Sequence, residues 1–230
     1  MDWEKVAAVI LTGGADIDPV FYGRTAESGT YINSHHDALD TAVLDAVRGK
    51  NIKKFGTCRG AQRLWADEGG ELVQHIPHHG RDHMATVVAR SRAPDVVRQL
   101  EAEGIAVTRE AITERRVEVE ENAGAAHDFQ ITSLHHQACI WESWESRRAS
   151  PPPQLLLVGE SRGQSAVEAW ANPHVWDYGF QYHPEWMNAA TPGYQWTIGA
   201  IQSAMGVDVT VNYTYPRLHK PRWRFPHEQS

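Results

Sequence analysis

The chain has 230 residues, 41% of them hydrophobic, enough to bury a core as one domain. A formal net charge of −7 excludes a basic field over the whole molecule, so nucleic acid is not the expected partner. Two cysteines suit a reducing cytoplasm, the opening Met1-Asp2-Trp3-Glu4-Lys5 lacks the pattern of a secretion signal, and no apolar run approaches the ~20 residues of a membrane span, so a cytoplasmic protein away from membranes is expected.

Taken in order, strand-like and helix-like runs alternate. Val6 to Thr12 is a continuously apolar run ending at Gly13-Gly14, as for a strand buried on both faces. Asp37 to Val47 carries Leu39, Val43, Leu44 and Val47 at helical spacing, with His35 and His36 before it as caps or as lining of a pocket mouth. Ile52 to Thr57 is a second strand, and Arg59 to Glu68 a helix with Ala61, Leu64 and Trp65 on one face. Such alternation predicts a mostly parallel sheet covered by helices. Further on, Met84 to Ala89 predicts a strand, Pro94 to Glu103 a helix, and residues 105–126 hairpin or loop. Phe129 to Leu134, Leu155 to Val158, Ala166 to Trp170 and Gly179 to Tyr182 are short strand candidates, and 146–153, with Pro151, Pro152 and Pro153, is a surface connection. The organisation expected is a single domain over 1–230, with a core over 6–205 and a basic, proline-rich arm at 206–230.

Gly56-Thr57-Cys58-Arg59-Gly60 places a thiol at a strand-to-helix junction between two glycines. A sharp turn of this form holds a nucleophile, and the helix N-terminus favours the thiolate. The alternative is an inert buried cysteine. A nucleophile needs a base with an orienting group. In Gly179 to Trp186, His183 and Glu185 stand two apart about Pro184, so in an extended segment they share a face and Glu185 can fix the imidazole; taken alone, the same residues read as a surface turn. Gly13-Gly14 leaves backbone N–H groups at the carboxyl edge of the sheet, and one of these with the N–H of Arg59 makes a two-donor oxyanion hole; otherwise it is an ordinary turn.

Leu11 to Gly23, Gly56 to Gln62, Gly69 to Pro77, Ser133 to Ala138 and Gly179 to Trp186 occur in an order that resembles class I glutamine amidotransferases. Within that superfamily they are most similar to the γ-glutamyl-γ-aminobutyrate hydrolase group of γ-glutamyl peptidases. The resemblance implies a flavodoxin-like α/β/α sandwich, a triad of Cys58, His183 and Glu185, and an oxyanion hole at Gly14 and Arg59. It implies a γ-glutamyl substrate held with help from Gly13, Gln62, Ser133, Leu134, His135 and His136, and no cofactor. Family members carry more chain ahead of the strand that ends at Thr12, so the resemblance also implies a sheet reduced on that side, with a flank open to a second copy or a synthetase partner.

Thirteen histidines include the pairs His35-His36, His78-His79 and His135-His136, but no cysteine or carboxylate accompanies them at ligand spacing, so no metal is expected. Cys139 and the tryptophans, among them Trp141, Trp144, Trp186 and Trp196, are read as core and rim. Three functions follow: a self-sufficient γ-glutamyl hydrolase, a glutaminase subunit delivering ammonia to a synthetase, and a non-catalytic binding protein on the same fold. The intact Cys58, His183 and Glu185 speak against the third.

Overall fold

Among the described residues, nine strands and three α-helices are built from the short apolar runs and their capping signals. They are β1 (Ala8–Leu11), α1 (Ser34–Val47), β2 (Lys53–Thr57), α2 (Arg59–Asp67), β3 (Leu72–Val73), β4 (His83–Val87), β5 (Asp128–Ile131), β6 (Ala138–Cys139), β7 (Gln154–Gly159), β8 (Ala166–Asn172), β9 (Asp177–Phe180) and α3 (Pro192–Ala204). This computed structural model describes residues 2–76, 82–87, 104, 128–140, 154–159, 166–172 and 174–206; for 86–87, 128 and 154–159 it describes the backbone alone. The helix expected at Pro94 to Glu103, the segments 105–126 and 146–153, and the arm beyond 206 lie outside the described residues, as do His78, His79, Trp141 and Trp144.

Seven of the strands form one mixed sheet in the order β1-β2-β9-β8-β7-β4-β5, and β3 pairs with β6 separately. The predicted parallel pairing holds for β1, β2 and β9, with Leu11 opposite Gly56 and Thr57 opposite Phe180. From β9 through β8, β7 and β4 to β5 the neighbours are antiparallel. Parallel neighbours end on the same edge, so the segments after Leu11, Thr57 and Phe180 emerge side by side.

Alternate residues of β1 face opposite sides, as the period of a strand requires. Val9 and Leu11 join Leu44 of α1, Leu64 and Trp65 of α2 and Trp170 of β8 in one core cluster. On the other face Ala8 packs with Phe55, Phe129, Ile131, Tyr178 and Phe180 against Ala200 and Ala204 of α3. The result is an α/β/α sandwich with α1 and α2 on one face and α3 on the other.

Local chemistry explains where the helices begin. Asn33, not His35 or His36, caps α1, its side chain accepting from the His36 N–H at 3.1 Å; the two histidines lie inside the first turn. Thr191 caps α3 and Pro192 occupies its first position. Arg59 through Ala66 of α2 are all buried, rather than one face alone, because the helix lies on β1, β2 and β9 beneath α1 and the turn Pro19–Tyr22. β1, expected to be buried on both faces, is an edge strand, and its Ile10 is 67% exposed.

At the start of β2 and β9, away from the edge where the three segments converge, Lys54 sits opposite Asp177 in the ladder, its ammonium 2.5 Å from the carboxylate. Burial pushes the Asp177 carboxyl up to about 8, opposed by Lys54 and aided by Glu68, whose own carboxyl burial also raises. Between its ordinary 3.8 and about 8, folded Asp177 holds a proton that the unfolded chain releases, so its contribution to stability falls as pH rises. Asp177→Asn therefore becomes more stable relative to the parent between pH 5 and pH 8, read from urea midpoints; a pH-independent difference contradicts the assignment.

Candidate active site

Two glycines allow the turn at Cys58. A methyl group on Gly60 would lie within 3 Å of the Leu11 backbone and side chain, and one on Gly56 within 3 Å of the Gly60–Ala61 peptide. With α2 pressed this closely on β1 and β2, Cys58 takes φ 49 and ψ −114, a positive φ that a side chain rarely adopts. Its N–H donates to the Phe180 carbonyl at 2.8 Å, and its carbonyl accepts from the Gln62 N–H at 3.1 Å. The elbow predicted at this position is present.

The side chain of Arg59 runs away from the sulfur. Its fully buried guanidinium forks onto Asp37 and Asp40 in the first turns of α1, and Asp37 also accepts from the Asp18 N–H at 3.2 Å. The start of α2 is thereby tied to the start of α1 and to the loop after β1. Two acids three apart and a basic helix start are visible in the sequence, but nothing in the chain alone pairs them. Only the backbone N–H of Arg59 faces the thiol.

His183 follows β9, where its N–H donates to the Thr132 carbonyl at 2.8 Å. Pro184–Trp186 forms a 3-10 turn rather than the extended segment expected, yet the turn still brings Glu185 Oε1 to 2.7 Å from His183 Nδ1. Gly13 marks the meeting point: a Cβ there would lie 2.9 Å from His183 Cε1 and 3.6 Å from Cys58 Cβ. The Cys58 and His183 side chains therefore both approach Gly13 at the carboxyl edge of the parallel strands, where a methyl group would already crowd the imidazole. A Cβ on Gly14 would meet the His36 ring and Arg59 Cδ, at 2.8 and 3.0 Å.

Burial pushes the Cys58 thiol up to about 12; the Arg59 N–H opposes this, while the charges of Glu185, Glu168 and Asp16 add to it. Against the thiolate expected from the helix N-terminus, desolvation and three nearby carboxylates outweigh one backbone donor and favour the neutral thiol.

The segment 132–137 closes over the thiol, and the Cys58 S–H donates to the Leu134 carbonyl at 3.7 Å. Leu134 itself is exposed, whereas Ser133 and His135 are buried. His135 points beneath the segment, with Nδ1 2.8 Å from the Gln137 carbonyl and Nε2 3.7 Å from Glu168 of β8; His83 of β4 lies 3.1 Å from the same carboxylate. Burial would raise the Glu168 carboxyl, but hydrogen bonds and charge from His135 and His83 hold it well below the usual carboxylate range. Sequence reasoning misses Glu168, whose one signal is a single glutamate inside the apolar run of β8.

Gln62 donates its amide N–H groups to the Gln137 carbonyl at 2.8 Å and to Gln181 at 3.3 Å, which seats the segment on α2. The Gln137 side chain in turn pairs with the Ile17 backbone, accepting its N–H at 3.2 Å. His136 lies outside the space beside Cys58: its Nδ1 is 3.0 Å from Asp16 and its Nε2 2.6 Å from His75. A surface cavity of about 440 Å³ beside His75 is lined by Arg24, Glu27, Glu71 and Gln74 among others, and by none of Cys58, His183 or Glu185. Among the described residues no group of three or more His, Cys, Asp or Glu side chains is placed to hold a metal, and no helix is long and apolar enough to cross a membrane.

A strained cysteine elbow on an α/β/α sandwich, with a histidine–glutamate pair arriving from the next parallel strand, already defines a class of protein. Residues 3–185 match the Peptidase C26 family, and the chain belongs to it. The γ-glutamyl-γ-aminobutyrate hydrolase PuuD of Escherichia coli is 24% identical over 189 residues, which cover 79% of this chain and 65% of that one. A protein of Mycobacterium tuberculosis, provisionally named a glutamine amidotransferase, is 35% identical over 75 residues, 32% of this chain and 24% of its own. This chain thus spans less than two thirds of the length of either relative. The crystal structure of a Thermoplasma acidophilum protein, provisionally named as part of a GMP synthase, superposes with a TM-score of 0.54 at 13% identity, covering 89% of this chain and 75% of that one. That likeness bears out the flavodoxin-like fold expected of a class I glutamine amidotransferase relative.

Two substitutions test these contacts by denaturant unfolding. Gly60→Ala forces α2 off β1 and loses about 1–3 kcal/mol, as overpacking does. Arg59→Met leaves two buried carboxylates without their cation and loses about 3–5 kcal/mol. A loss under about 0.5 kcal/mol in either would show that the elbow does not depend on that contact.

Proposed function

We propose that this chain is a cysteine-dependent hydrolase that cleaves the γ-glutamyl amide bond of glutamine or of a γ-glutamyl amine. The observation that carries the reading is the meeting of the Cys58 and His183 side chains at Gly13, with His183 Nδ1 already held by Glu185 at 2.7 Å. That bond leaves Nε2 as the nitrogen able to accept the thiol proton. The family membership and the activity in PuuD's name support the substrate class.

The reaction runs as acyl transfer in two steps. The Cys58 proton moves to His183, the sulfur attacks the γ-carbonyl carbon, and the oxyanion is received by the N–H groups of Arg59 and Gly14. The carbon–nitrogen bond breaks as His183 returns the proton to the leaving amine, which leaves a glutamyl thioester on Cys58. Water then gives a proton to His183 and attacks the thioester, releasing glutamate and restoring the thiol. Gly13 and the Ser133–Leu134 backbone form the wall against which the γ-glutamyl group rests, and Gln62 seats that segment on α2.

The test is release of amine or ammonia from γ-glutamyl amines and from glutamine by the protein alone, with mass spectrometry of Cys58. The expected result is turnover, a mass increase of one glutamyl group on Cys58 during reaction, and loss of at least about 10³-fold in kcat for Cys58→Ala, in line with loss of a nucleophile. Turnover by Cys58→Ala at the parent rate overturns the covalent route. Release of ammonia from glutamine only when a synthetase is added assigns the chain to the glutaminase subunits instead.

A further inference from the structure

The turn that carries Glu185 ends on Trp186, and the indole lies flat on the His183 ring, with centroids 3.7 Å apart and planes 10° apart. The Trp186 N–H donates back to the His183 carbonyl at 3.1 Å, so the stack is built into the turn. The indole nevertheless remains 55% exposed, a large apolar side chain left partly in water at the rim of a buried site. Glu185 holds one nitrogen of the ring, but its own side chain is 46% exposed, and one hydrogen bond at Nδ1 does not fix the tilt of the ring plane.

We propose that Trp186 is a positioning residue: its aromatic face sets the plane of the His183 imidazole and stabilises the positive charge the ring carries after taking the Cys58 proton. An aromatic face carries negative potential and attracts a cation stacked on it, while a neutral ring gains less. Among the described residues, the charged or titratable groups about this ring are Glu185 on its own turn and the Cys58 thiol from the β2–α2 elbow. Beyond the thiol stand Glu168 of β8 and Asp16 after β1. Replacing Trp186 alters none of these charges. The catalytic part of the inference rests on the hydrolase reading; the electrostatic part does not.

The experiment follows the His183 imidazole by NMR titration in the parent, Trp186→Phe and Trp186→Leu, with Tm measured alongside and kcat and KM measured on a γ-glutamyl amine. Trp186→Gln replaces the leucine variant if that one does not fold. The expected result is a titration midpoint lowered by about half a pH unit without an aromatic face, since an exposed cation–π contact has that strength. It is accompanied by a several-fold fall in kcat with KM little changed, and Trp186→Phe retains most of both. An unchanged midpoint in all variants overturns the proposal, as does a raised KM with unchanged kcat, which makes Trp186 a substrate contact. Absence of turnover in the parent overturns the hydrolase reading alone, because the titration still decides what Trp186 does to the ring.

Discussion

The approach of Gly60 to the Leu11 backbone is the constraint on which the rest depends. A helix start held this near a neighbouring strand leaves no room for a relaxed turn between β2 and α2, and the residue in between takes the positive φ seen at Cys58. The strain is localised at one residue because glycines stand two positions away on both sides, and the buried fork of Arg59 onto Asp37 and Asp40 keeps α2 from lifting away. Position of the sulfur, packing of two helices and the course of the loop after β1 are thus settled by one contact and one ion-pair fork.

Three of the buried charged groups among the described residues each do something different. The Arg59 fork joins elements. The Glu168 carboxylate, between His83 and His135, supports the underside of segment 132–137 from β4 and β8, so the roof over the thiol is seated on the sheet. The Lys54, Asp177 and Glu68 group lies at the opposite end of the same strands and makes stability depend on pH without touching the thiol. Around Cys58 the carboxylates of Glu185, Glu168 and Asp16 add to burial, the larger cause, in favouring the neutral thiol.

What can be read from the chain alone is whatever is encoded locally. The elbow needs only five consecutive residues, and the His183–Glu185 bond only three, so both are legible even though the second is expected on an extended segment and occurs in a 3-10 turn. The partners of Arg59 lie 19 and 22 residues away and those of Glu168 as far as 85, distances over which a pattern carries no pairing information. Helix α3 escapes a hydrophobic pattern because its buried stripe, Gly193, Thr197, Ala200 and Ala204, has helical spacing but little hydrophobicity; small residues there let the helix sit close to Phe129 of β5. The two-residue strands β3 and β6 are shorter than any periodicity. The Trp186 stack is hinted at by an indole directly after Glu185, but an adjacent aromatic says nothing of ring planes until the turn is known.

The enclosed, protonated state of Cys58 has a chemical corollary. Peroxides and other oxidants attack the anionic form of sulfur, and they do so where solvent reaches it. A thiol kept neutral behind a carbonyl roof is insulated from sulfenic acid formation. The same burial that raises the Cys58 thiol also keeps oxidants in the solvent away from the sulfur.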